Sequence, residues 1–203
     1  MESTSALKQS SSQTTSVIEL LKSSDFVLTW STETGLWIGR ALEWTVFALL
    51  VHELTESPFQ VSLVLVFYWG PMPVLSVLSG AISDRLERWR LLMIVHTGLL
   101  LITAALLALI LSGQIQPFHI FLGAILLGLC MALDWPTRNV FMCDMVGQKN
   151  VNKAMSIDAV GLASGLLLGP LIGGFLVQTQ GFAGPMIAML VIYGITLIMV
   201  SRI

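Results

Sequence analysis

Two stretches of 43 residues, Leu91 to Leu133 and Ala159 to Ser201, contain no Asp, Glu, Lys or Arg. A single membrane-spanning helix needs about 20 apolar residues, so each stretch is too long for one span and suits two joined by a turn. The competing reading is a buried soluble core, but soluble helices keep a polar face and these segments have none. Composition agrees: the chain is 55% apolar and 11% charged, against roughly 25% charged in an average soluble domain. The expectation is an all-α integral membrane protein.

Six helices are read from hydropathy and breakers. They cover about Phe26–Val51, Gln60–Ser83, Trp89–Leu111, Pro117–Leu133, Asn152–Val177 and Gly184–Val200. Breakers fall at Glu56-Ser57-Pro58, Ser112-Gly113-Gln114 and Gln180 to Pro185. Residues 1–25, rich in Ser, Thr and Gln, read as a disordered tail, and 26–203 as the six-helix bundle. They lack the compact apolar core and cleavage site of a signal peptide.

The basic residues then sort to one side. Lys8, Lys22, Arg85, Arg88, Arg90, Arg138, Lys149, Lys153 and Arg202 share it, and the three opposite loops carry no Lys or Arg. The positive-inside rule predicts cytoplasmic termini and two cytoplasmic basic loops. With a net charge of −2, nothing points to nucleic acid. Cys130 and Cys143 have no metal-ligand spacing.

Arg40 is the exception, inside the first helix with Glu33 and Glu43. An isolated charge at the bilayer centre costs roughly 2.5–3.5 kcal/mol on insertion scales, so three in one span require a reason. At 100° per residue they fall within about 80° of one another, and Arg40 and Glu43 are spaced to pair. One reading is a polar stripe on a water-filled cavity, serving substrate or protons. The other is a structural pair with Glu33 reaching for the interface. Asp158 reads as a first-turn residue of the fifth helix, and His96 as a packing histidine or proton shuttle.

The fifth helix carries Gly161, Gly165, Gly169 and Gly173 at a period of four, with Pro170 and Gly174 beside them. Small residues at this spacing let helix backbones approach closely in lipid. Between helices two and three, Gly80-Ala81-Ile82-Ser83-Asp84-Arg85-Leu86-Glu87-Arg88-Trp89-Arg90 places three arginines in a short loop.

That loop resembles the one between helices two and three of the major facilitator superfamily of secondary transporters. Gly165 to Gly174 resembles the Gly-x-x-x-Gly-Pro-x-x-Gly-Gly signature in the fifth helix of its drug–proton antiporters. Pro136-Thr137-Arg138 and Ala154 to Gly174 look most like the multidrug and enterobactin-type exporter branch.

The resemblance implies the first half of a twelve-helix fold, with three-helix inverted repeats at about 26–111 and 117–200. It implies proton-coupled efflux of drug- or siderophore-like small molecules by alternating access in the cell membrane. The proton gradient would be the energy source, with no cofactor and no enzymatic site. The partner would be a second six-helix half, either a C-terminal half or another copy. Gly80, Asp84, Arg85, Arg88, Arg90 and Arg138 would form the gate.

The loop departs from the family pattern at Glu87, where Gly is usual, and at Trp89, where a basic residue is usual. The fourth helix, read as ending at Leu133, lacks the arginine that many drug–proton antiporters carry there. The alternative is a non-transporting membrane interaction protein or an inactive fragment. An intramembrane serine protease fits poorly, because Ser164-Gly165 lacks the nucleophile-elbow spacing.

Overall fold

A computed structural model describes residues 22–73, 75, 87–148 and 150–202, and these are helical apart from short connections. Six helices follow in order: α1 Ser24–Thr55, α2 Pro58–Trp69, α3 Arg88–Leu111, α4 Pro117–Val146, α5 Val151–Gln180 and α6 Ala183–Val200. All but α2 are long and apolar enough to cross a membrane. The α2 range given is twelve residues, short of a span. The end of the predicted second helix at 76–83, with Gly80, and the loop residues Asp84 and Arg85 lie outside the described residues, as does the tail through residue 21.

Local chemistry sets the helix ends. Pro58 and Pro117 stand in the first turns of α2 and α4, where a missing N–H costs nothing. Ser57 accepts from the Gln60 N–H, and the Gln116 N–H donates to His119 Nδ1. Gly147 (φ 71°) and Gly181 (φ 66°) end α4 and α5 in a backbone region that costs other residues strain.

The fourth helix overruns its predicted end at Leu133 and continues to Val146, with Pro136 inside it. Proline is tolerated within membrane helices because neighbouring groups re-satisfy the freed backbone. The Thr137 hydroxyl next to it donates to the Leu133 carbonyl at 2.7 Å, whereas the carbonyl that Pro136 frees is that of Ala132. The extension brings Asp134, Thr137 and Arg138 into the bundle, all at most 2% exposed. Arg138 therefore belongs to the core of α4 and not to a loop after it.

Helix α1 runs through the middle, packed by α5, α6, α2 and α4. Its Leu36, Trp37, Leu42, Val46 and Phe47 join Val95 and Leu99 of α3, Leu127 and Met131 of α4 and Met189 of α6 in one core. Helix α5 meets α1 through its glycines. A Cβ at Gly165 would stand 2.6 Å from Trp37 Cβ, and one at Gly169 2.5 Å from Ala41 Cβ, so the backbones touch. Gly161 faces Thr34 as closely, whereas Gly173 has ordinary clearance and Gly174 has nothing within 4 Å. The opposite side of α5 bares Val160, Leu167, Leu171 and Phe175.

Candidate functional site: a buried charge ladder

The charges of α1 are not on an open surface. Glu33 is 3% exposed, and Arg40 and Glu43 are fully buried. In this conformation they meet protein, not a water-filled cavity. Nor do Arg40 and Glu43 pair with each other. The Arg40 Nη2 donates to Asp134 Oδ2 at 2.5 Å, joining α1 to α4. Asp134 Oδ1 accepts from Arg138 Nη2 at 2.8 Å, one helical turn along α4. Arg138 Nε closes the ladder on Glu33. Glu33 therefore does not reach for the interface but is held inside by a cation.

The order of the rungs follows from antiparallel helices. Moving along α1 from Glu33 to Arg40 corresponds to moving back along α4 from Arg138 to Asp134. Asp134 bridges two arginines, and each arginine offers several donors in a planar fork, so one carboxylate can satisfy both. The Arg40 guanidinium also lies 5.4 Å from the Trp37 ring centroid, a favourable cation–π separation.

His96 of α3 completes this group. Its Nδ1 lies 2.8 Å from the Leu92 carbonyl, which can only accept. Its Nε2 lies 3.3 Å from Arg138 Nη2, which can only donate. One proton on Nδ1 satisfies both contacts, so the imidazole is neutral. It is a satisfied core histidine that orients Arg138.

Glu43 sits apart from the ladder. It accepts from the Tyr68 hydroxyl of α2 at 3.4 Å and faces Tyr193 of α6. Gly39 makes room for that tyrosine, since a Cβ there would stand 2.7 Å from its ring. Trp44 packs edge-on against Tyr68 and beside Trp69, so aromatic rings hold the Tyr68 donor.

Toward the start of α3 the charges are exposed and locally paired. Arg88 pairs with Asp144 of α4, and Arg90 Nε with Glu87 Oε2 at 2.8 Å. Arg138 is remote from this cluster in its contacts, since its described partners are Glu33, Asp134 and His96. Asp158 stands in the second turn of α5, not at its cap, which is Asn150.

Sequence reasoning missed Asp134. Ending the helix at the Asp-Trp-Pro step hid it and left Arg138 in a loop. The spacing from Asp134 to Arg138 is a helical i, i+4 pair, and an unpaired Arg40 demanded an acid on another span. Those two signals together point to Asp134.

The five long apolar helices around a buried ionic ladder define a polytopic α-helical membrane protein. The family model of the Major Facilitator Superfamily matches residues 30–203, and the chain belongs to that superfamily. It is 29% identical over 169 residues to a Staphyloferrin A transporter of Staphylococcus aureus. The matched region is 81% of this chain and 41% of that protein, so the chain spans less than half the length of this relative.

Proposed function

We propose that the chain forms one half of a secondary transporter that exports drug- or siderophore-like small molecules in exchange for protons. A second six-helix half, in the same polypeptide or another copy, supplies the facing wall. The observation that carries this reading is the ladder of Glu33, Arg40, Asp134 and Arg138 on α1 and α4. Ionisable groups inside a membrane bundle are costly and characteristically mark substrate or proton pathways. Family membership and the relative named for staphyloferrin A support transport of a small molecule.

In this reading α1 and α4 line the path, and alternating access exposes Glu33, Arg40 and Glu43 in turn. The loop from Gly80 through Asp84 and Arg85 to Arg88 and Arg90 works as the cytoplasmic gate, and both termini face the cytoplasm of the cell membrane. Arg138 holds the gate-side end of the ladder through Glu33 instead of serving as a loop partner. The test is proton-driven efflux from vesicles bearing the chain together with its second half. Asp84→Asn is expected to lower efflux at least several-fold with unchanged insertion. Unaltered efflux would reduce the loop to a topological anchor, and absence of any proton-driven flux in the parent protein would remove the transport reading itself.

A further inference from the structure

We infer that the corner where α3 begins and α4 and α6 end is a binding site for one anionic phospholipid. Its phosphate meets Arg202, and one acyl chain lies between the three helices. The inference rests on membership of a membrane family and is independent of what the protein transports.

Two adjoining cavities make the site. A charged bowl of about 840 Å³ lies among Glu87, Arg88, Asp144, Met145 and Arg202. Beside it an apolar groove of about 400 Å³ runs among Leu92 of α3, Phe141 of α4 and Val200 of α6. Trp89, Phe141 and Arg202 line both, so a charged compartment and an apolar one share a wall.

Local structure fixes this corner. The Trp89 indole donates to the Val200 carbonyl at 3.1 Å, one of the last carbonyls of α6, which lack a partner within the helix. That bond ties the start of α3 to the end of α6 and leaves Trp89 45% exposed. An indole with a bonded N–H and an open ring suits the boundary between membrane and water. The Arg202 N–H donates to the Met199 carbonyl at 3.1 Å, so the backbone that carries this arginine continues the turn of α6.

Charge and apolar surface together define the ligand. Around the bowl, Arg88 pairs with Asp144 and Arg90 with Glu87. Arg202 is the cation left over, with no ion pair among the described residues. A phosphodiester brings one negative charge and acceptor oxygens that match the guanidinium fork. A zwitterionic headgroup adds a cation, for which the paired acids Glu87 and Asp144 offer nothing. The groove separates a lipid from a soluble phosphate. Left empty, it forfeits dispersion contacts, and the hydrocarbon that a bilayer supplies to fill it is an acyl chain. Ile94, Val140 and Ile198 on the same three helices are exposed, as residues facing lipid are. Basic pockets between membrane helices are where acidic headgroups bind.

Native mass spectrometry of the full chain in detergent tests this, with phosphatidylglycerol and phosphatidylcholine of identical acyl chains as probes. The parent is expected to bind one phosphatidylglycerol about five-fold more tightly than phosphatidylcholine, the factor that one arginine contributes beside an acidic lipid. Arg202→Gln, an exposed change that leaves the bundle intact, should bring the two affinities together. Arg90→Gln, outside the bowl, should keep the preference. Glycerol phosphate, the headgroup without chains, should not displace the lipid at equal concentration. Equal affinities in the parent, or a preference that survives Arg202→Gln, would overturn the inference. So would a loss in Arg90→Gln as large as in Arg202→Gln, which would mean diffuse surface charge. Displacement by glycerol phosphate would overturn it too, in favour of a soluble phosphate ligand.

Discussion

Helices α1 and α5 touch along their lengths, yet they solve the problem of sitting in lipid in opposite ways. Helix α1 holds Glu33, Arg40 and Glu43 and is enclosed, with 61% of its apolar window inside the bundle against 22% for α5. Helix α5 turns bare backbone to α1 and leucines outward. The contrast teaches that the two faces of α1 have separate jobs. The side toward α5 is fixed by absence of side chains, and the side toward α4 by fully paired charge. Closeness secures one contact and electrostatic balance the other.

The largest effect should come from breaking the charged side. Asp134→Asn takes away the acid that pairs with Arg40 and leaves Arg138 with Glu33 alone, and losing one partner of a buried ion network costs about 3–5 kcal/mol. Denaturant unfolding in mixed micelles measures it, and a loss below about 1 kcal/mol would mean that water already screens the ladder. An intermediate effect is expected on the close-packed side. Gly165→Leu forces a side chain into the space held by Trp37, costing about 1–3 kcal/mol by overpacking. If the same unfolding assay gave no loss, α1 and α5 would not be packed at backbone distance.

The smallest effect sharpens the boundary of the glycine contact. Gly174→Ala adds a methyl where nothing lies within 4 Å, and removing a helix-interior glycine gains roughly 0.5–1 kcal/mol. A marked destabilisation there would show that a second body presses on the outer side of α5. Set beside Gly165→Leu, this variant separates glycines needed for approach from a glycine that merely accompanies them.

The two sides were unequally legible in the sequence. A period of four in Gly161, Gly165 and Gly169 is a local pattern, and the backbone contact it produces follows from helix geometry alone. The charges of α1 were equally visible, but their partners were not, because pairing across helices depends on which faces meet. Proline usually stops a helix in water, so the chain beyond Leu133 looked like a loop and took Asp134 and Arg138 with it. In lipid that rule weakens, and α4 runs on through Pro136. The i, i+3 spacing of Arg40 and Glu43 suggested the wrong pair, since Asp134 offers a carboxylate already shared with a second arginine.

The bare face of α5 has a thermodynamic corollary. Docking a leucine-lined helix freezes rotamers, whereas glycine has none to lose. At Gly165 and Gly169 the α5 side of the contact therefore forms without side-chain ordering, and it has no knobs to lock its position along the axis. Such a contact is held from the α1 side, by Trp37 and Ala41 and by the Trp30 indole, which donates to the Ile157 carbonyl of α5 at 3.0 Å.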